Sequence, residues 1–167
     1  MTTLELAKDF EAEDCYAAIE EGRRFQREQG FVQWEDNVPN LDTIRHDIER
    51  KQGYAIKSDG AIAGYFCLHF RGEPAYDVIE GQWSLDAPYG VVHRIAVKSA
   101  YRGTGVTADA FRLIGELCRE NGVPYVRIDT AFPNRRMQHV LKKNGFTECG
   151  TIYYSPDKVR IGFDKTL

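Results

Sequence analysis

The stretch HRIAVKSAYRGTGVTADAF, residues 93–111, decides the fold. Ile95, Ala96 and Val97 form an apolar run of strand type. Arg102, Gly103, Thr104 and Gly105 follow as a basic turn with two glycines. Beyond it, Val106, Ala110, Leu113, Ile114 and Leu117 recur at helical spacing in a segment without proline. A helix that starts straight after a glycine turn exposes its first N–H groups, and these with the helix dipole attract anions, phosphate above all. Glycine lets the backbone approach closely and reach positive φ, and Arg102 adds a planar fork of donors. The turn lacks the Lys-Ser/Thr of a Walker A loop, and the GxGxxG pattern is incomplete. On their own the glycines also fit a plain tight connection.

The rest of the chain supplies the neighbours of this unit. Residues 91–97 are apolar on both faces, which predicts a central strand. Upstream, residues 2–7 read as a strand and 10–29 as a helix, with Phe10, Cys15, Ala18, Ile19 and Phe25 among charged residues and Gly30 as a stop. Residues 41–52 read as a second helix, and 54–57 and 61–70 as a hairpin around Ser58, Asp59 and Gly60. Residues 71–90, with Gly72, Pro74, Gly81, Pro88 and Gly90, read as a loop or a short irregular strand. Downstream come a helix over 106–120, a strand over 125–130, a helix over 134–143 with Met137, Val140 and Leu141 inward, and strands over 146–154 and 158–164. The predicted class is α/β, a mixed sheet with strand-to-helix turns after residues 97 and 130.

Bulk properties narrow the function. The chain has 167 residues, enough for one domain with a substantial core, so 1–167 is expected to be a single domain. A net charge of −3 gives no global basic field, so nucleic acid is not an expected partner. No apolar run approaches the roughly 20 residues of a membrane span, and the acidic start MTTLELAKDFEAED has no signal-peptide core. Cys15, Cys67, Cys118 and Cys149 are far apart and form no CxxC pair, as in a reduced cytoplasmic protein. No histidine, cysteine or carboxylate group has metal-ligand spacing, so no metal is expected.

A second segment, NRRMQHVLKKNGF at residues 134–146, lies one strand after the turn. Arg102-x-x-Gly105-x-Thr107 behind the strand HRIAV, with Asn134-x-x-Met137 running into Lys143-Asn144-Gly145-Phe146, resembles the GCN5-related N-acetyltransferase (GNAT) family. The element order agrees from about residue 2 to the end, and YDVIEGQW and RIDT resemble a subgroup of uncharacterised bacterial acetyltransferases. The resemblance implies a mostly antiparallel sheet of six to seven strands flanked by four helices. It implies acetyl-CoA as cosubstrate, with its pyrophosphate on the amides of Arg102, Gly103, Thr104, Gly105, Val106 and Thr107. It also implies that the pantetheine arm pairs with Ile95, Ala96 and Val97, beside a bulge near Arg94. Asn134 then binds the pantetheine amide or the following loop, with plain helix capping as its rival role. Thr107 stands where the family usually has Gly or Ala, and Leu141 where it often has the Tyr that protonates the leaving thiolate.

Acyl transfer from a thioester to an amine requires a neutral amine. Deprotonating an amine of pKa about 10.4 at pH 7 costs about 4–5 kcal/mol, whereas positioning two bound substrates supplies about 7–11 kcal/mol. A dedicated base is therefore helpful but not obligatory. His93, beside the expected bulge, and Glu80, in an expected cleft with Tyr76 and Trp83, are the two candidates. Tyr76, Trp83 and Asp129 are candidate acceptor-binding residues, and Asp129 has an alternative as the cross-face partner of Arg127. Tyr153 and Tyr154 are candidate proton donors. The expected function is N-acetyl transfer to a primary amine of a small molecule or peptide, with another acyl group or a CoA-binding regulatory module as alternatives. Dimers are common in the family, and a homodimer joins the expected partners.

Overall fold

The computed structural model describes residues 1–167. In chain order the elements are β1 (Thr2–Leu6), α1 (Ala12–Glu28), α2 (Leu41–Glu49), β2 (Gly53–Ser58), β3 (Ala61–His69), β4 (Ile79–Gly81), β5 (Gly90–Val97), α3 (Val106–Glu120), β6 (Tyr125–Ala131), α4 (Arg135–Lys143), β7 (Thr147–Ser155) and β8 (Lys158–Thr166). The eight strands form one sheet in the order β1-β2-β3-β5-β6-β8-β7-β4. It is mostly antiparallel, with β5 and β6 parallel through Gly90–Val126 and Val91–Arg127. The chain divides into two compact units, one of residues 1–68 and 93–114 and the other of residues 69–92 and 115–167.

In the first unit α1 buries a face of small residues. Ala12, Cys15, Ala18 and Ile19 pack with Ile44 of α2, Ala55 of β2, Ile62 and Tyr65 of β3, and Ala96 of β5. Phe10, at the start of the predicted helix 10–29, is 82% exposed. It lies in a 3-10 turn over Asp9–Glu11 that precedes the helix, so its side chain is out of the helical period. Arg23 is buried on α1, and its guanidinium donates to the carbonyls of Glu35 (2.8 Å) and Pro39 and to the Tyr16 hydroxyl (3.4 Å). These bonds fasten the segment leading to α2, whose start is capped by Asn40 Oδ1 accepting from the Thr43 amide at 2.9 Å.

A buried ion pair joins α2 to β5. Arg94 donates from Nε to Asp47 Oδ2 at 3.0 Å and from Nη2 to Oδ1 at 2.7 Å. The hydroxyl of fully buried Tyr65 donates to Asp47 Oδ2 at 2.6 Å. Arg94 has φ 54°, a left-handed conformation that costs a non-glycine residue about 1–2 kcal/mol. The bidentate pair holds that residue in place. On β3, Gly64 admits the neighbouring strand, because a Cβ there would lie 2.4 Å from the Ala96 carbonyl oxygen.

In the second unit the segment 71–90 is more regular than its composition predicts. It holds a 3-10 turn over Pro74–Asp77 and the three-residue strand β4, which pairs with β7 through Ile79–Ile152, Glu80–Thr151 and Gly81–Gly150. The glycine pair makes this possible: a Cβ on Gly81 would lie 2.2 Å from the Cys149 oxygen, and one on Gly150 2.2 Å from the Glu80 oxygen. This unit contains its own buried polar centre. Asp164 on β8 accepts from the Tyr125 hydroxyl (2.6 Å), the Ser84 amide (2.7 Å) and the Ser84 hydroxyl (2.8 Å). Burial opposes its charge, but these hydrogen bonds prevail and hold the carboxyl below its usual pKa.

Both charge centres give measurable expectations. Asp47→Asn is expected to cost about 2–4 kcal/mol in urea unfolding, because it strips the counter-charge from a largely buried guanidinium. Asp164→Asn is expected to cost about 1.5–3 kcal/mol at neutral pH. Since the folded pKa of Asp164 is lowered, its contribution is complete above the unfolded value near 3.9 and disappears as pH falls through the folded value. The gap between wild type and variant, followed by unfolding from about pH 7 to pH 3, therefore closes at the acid end.

Candidate active site

The turn that opens the sequence analysis is built as a helix mouth. Ser99–Tyr101 form a short 3-10 turn, and Gly103 and Gly105 follow at φ 79° and 90°. A Cβ at either glycine would meet nothing within 4 Å, so backbone conformation and not crowding calls for glycine there. The Arg102 amide donates to the Ser99 carbonyl at 3.2 Å and the Thr104 amide to that of Tyr101 at 3.3 Å, and the Thr104 hydroxyl also turns to Tyr101. The first intrahelical bond of α3 runs from the Asp109 amide to the Gly105 carbonyl at 3.0 Å. The amides of Gly103, Gly105, Val106 and Thr107 have no backbone acceptor. Of the six amides expected to serve a phosphate, two are spent inside the turn and four are left.

Arg102 also makes a contact with α1. Its guanidinium lies over the Phe25 ring of α1, 4.6 Å from the centroid. It also lies close enough to Glu21 to favour that carboxylate's charge. For Glu21 burial acts the other way and is outweighed by hydrogen bonds from Ser99, with the charges of Lys98 and Arg102 adding to them. Arg102 therefore braces the turn against α1. In β5, Ile95 and Ala96 are buried, while His93, Arg94 and Val97 are half-buried. Arg94 takes its left-handed conformation inside β5, at the position where a bulge is expected.

The second unit brings three of the predicted residues together. The hydroxyl of fully buried Tyr76 donates to Asp129 Oδ2 at 2.6 Å. Trp83 packs on the Tyr76 ring at 5.1 Å between centroids and donates from Nε1 to the Tyr76 carbonyl at 2.9 Å. Tyr154 adds a second donor to Asp129 Oδ2, at 2.5 Å. Burial, then the Asp129 charge, pushes both phenols far above the ordinary tyrosine pKa. The alternative pair of Asp129 with Arg127 does not form. Arg127 is buried with its guanidinium 4.1 Å from the Tyr89 ring centroid, 4.3 Å from that of Trp83 and 5.2 Å from that of Tyr125, and Nη2 donates to the Leu85 carbonyl at 2.7 Å.

Glu80 lies apart from this cluster in its surroundings. It is exposed on β4 and accepts from the Tyr153 hydroxyl at 3.2 Å, so the desolvated aromatic setting expected for it is missing. Asn134 caps α4, its Oδ1 accepting from the Met137 amide at 3.1 Å. Leu141 is completely buried, as an aliphatic core residue. Asp47, Tyr65 and the counter-ion role of Arg94 were not anticipated. Their signal was present in LDTIRHDIE, where Asp47 sits on the same helical stripe as Ile44 and Ile48. A carboxylate on an apolar stripe calls for a buried partner.

Comparison with known proteins gives the family of the chain. The sequence model of the acetyltransferase (GNAT) family matches residues 9–146. A GNAT-family acetyltransferase from Streptococcus agalactiae 2603 is 33% identical over 99% of this chain and 95% of its own, with a TM-score of 0.88. A GNAT-family acetyltransferase from Listeria monocytogenes 4b F2365 shares the fold at 20% identity, 99% and 95% coverage and a TM-score of 0.74. So does the acetyltransferase yncA from Salmonella typhimurium, whose structure holds its cofactor acetyl-CoA, at 15% identity, 100% and 94% coverage and a TM-score of 0.66. None of the curated proteins matches the chain. The chain belongs to the GNAT acetyltransferase family, and its eight-stranded, mostly antiparallel sheet with four helices is the fold of that family. No helix is long and apolar enough to cross a membrane.

The helix mouth can be tested without disturbing the fold. Thr107→Glu places a carboxylate in the first turn of α3, where it favours the helix by about 0.3–1 kcal/mol and repels a bound phosphate. The variant is expected to unfold at the same or higher temperature and to bind CoA at least about tenfold more weakly by calorimetry. Undiminished CoA affinity would remove the phosphate from this turn.

Proposed function

We propose that residues 1–167 act as one acetyltransferase domain that moves the acetyl group of acetyl-CoA directly to a primary amine of a small molecule or peptide in a ternary complex. The observation that carries this reading is the helix mouth of α3, with four unengaged amides behind two glycines at positive φ, in a chain of the GNAT family. The pyrophosphate sits on the amides of Gly103, Gly105, Val106 and Thr107. The pantetheine arm runs beside Ile95, Ala96 and Val97 in the manner of an added strand. N–H groups at the break in β5 polarise the thioester carbonyl. Asn134 fixes the start of α4 and is a proposed partner of the pantetheine amide.

In the reaction the amine nitrogen forms a bond to the carbonyl carbon and the carbon–sulfur bond breaks. The nitrogen loses a proton and the thiolate gains one. His93 is the better placed of the two bases, because it is half-buried on β5 next to Arg94, whereas Glu80 is exposed. With Leu141 buried where the family often has a phenol, the proton taken by His93 returns to the sulfur. A CoA-binding module without turnover is the second reading, and Leu141 is the residue that favours it.

Thiol release from acetyl-CoA with a panel of amines, read with mass spectrometry of the products, tests the proposal. Turnover supports it, and CoA binding with no acetylated amine supports the module. With an accepted amine, His93→Gln is expected to lower kcat by roughly 10²–10⁴-fold and to abolish the acidic limb of the pH–rate profile, leaving acetyl-CoA affinity unchanged. Glu80→Gln is expected to change kcat by less than about threefold. The reverse pattern would give the base to Glu80.

A further inference from the structure

Asp129 on β6 is half-buried, and both of its protein hydrogen bonds fall on one oxygen, Oδ2. Oδ1 bonds to no group of the protein and is open to solvent. The two phenols that hold Oδ2 donate to it and keep their own protons. No basic side chain compensates it. Arg127 is enclosed by Trp83, Tyr89 and Tyr125, and Lys158 comes only as near as 6.0 Å to the Tyr154 ring. A fixed carboxylate, oriented by two donors and presenting one free oxygen, is suited to a cation.

That cation is not the amine that reacts. A carboxylate against the attacking nitrogen stabilises its protonated form and raises its pKa, at about 1.36 kcal/mol for each unit. The same contact with a second basic group contributes binding at no cost to the nucleophile. We propose that Asp129, held by Tyr76 and Tyr154, binds a cationic group of the acceptor other than the amine that is acetylated, so that the acceptor is a small molecule with two basic nitrogens. This inference rests on the acetyl-transfer reading for its reaction, but the cation site can be examined separately.

Two measurements test it on the full chain. The first is binding of ethylguanidinium, a permanent cation without a reactive amine, by calorimetry in the presence of CoA. The expected result is measurable binding that falls about 10–100-fold in Asp129→Asn, the scale of a lost hydrogen bond between charged groups. The second is kcat/KM for acetylation of 1,4-diaminobutane against 4-aminobutan-1-ol, which differ only in the second basic nitrogen. The wild type is expected to prefer the diamine by at least about tenfold, Asp129→Asn to lose that preference, and Tyr154→Phe to keep it, since the charge remains.

Absence of a diamine preference in the wild type overturns the proposal without any variant. A preference or cation affinity that survives Asp129→Asn overturns it as well, and so does equal loss in folded Tyr154→Phe. Cation binding that depends on Asp129 with no amine acetylated upholds the site and overturns acetyl transfer. Acetylation indifferent to the second nitrogen does the opposite.

Discussion

The pair between Asp47 and Arg94 is the constraint on which the first unit depends. β5 carries a residue in a left-handed conformation in the middle of a strand, which a chain does not adopt unaided. Two charge-assisted bonds from α2, with a third from Tyr65 to the same carboxylate, hold it there. The consequence extends along the chain. Because Arg94 is fixed, Ile95 to Val97 leave the break in a set direction and deliver the chain to Ser99, whose amide and hydroxyl are gripped by Glu21 of α1. Arg102 leans on Phe25 of the same helix. A strand and a helix mouth are thus positioned by α1 and α2, elements that contribute no residue to the proposed phosphate contacts.

The second unit solves a related problem with neutral donors. Asp164 and Asp129 are each oriented by tyrosine hydroxyls, and Arg127 is satisfied by aromatic faces and a carbonyl where a carboxylate lies two residues away. The tyrosines stay protonated because burial raises them, Tyr125 to about 12, so their hydroxyls remain donors across the physiological range. Aromatic residues in the loop before β5 are therefore structural walls first. Trp83 is the clearest case, since it supports Tyr76, Arg127 and the close approach at Gly162 together.

Elements with a strong period were legible in the sequence. Helix α3 begins and ends where its apolar spacing says, at Val106 and Glu120, and the doubly apolar run at 91–97 is an inner strand. What failed were features set by contacts far apart in sequence. β4 has three residues and no period to read, and it exists because Gly81 and Gly150 allow two backbones to meet. The helix expected from residue 10 starts only at Ala12, after a 3-10 turn over Asp9–Glu11. Arg127 and Asp129 share a strand face, yet aromatic rings drawn from residues 83, 89 and 125 compete for the guanidinium. At the candidate site, the glycine turn was readable because its chemistry is local. The partners of Asp129 were not, since Tyr76 lies 53 residues away in sequence.

The four cysteines have a practical bearing. All are free, and burial pushes the thiols of Cys15 and Cys118 up to about 12 and 11. Cys149 is raised to about 12, by burial and then by its hydrogen bond to Asp164. Near neutral pH each of these three is a thiolate less than about one part in a thousand of the time, and the thiolate is the form that reacts. Disulfide reagents and electrophiles therefore find these three sulfurs almost inert while the chain stays folded. Their reaction becomes a clock for unfolding at these three positions.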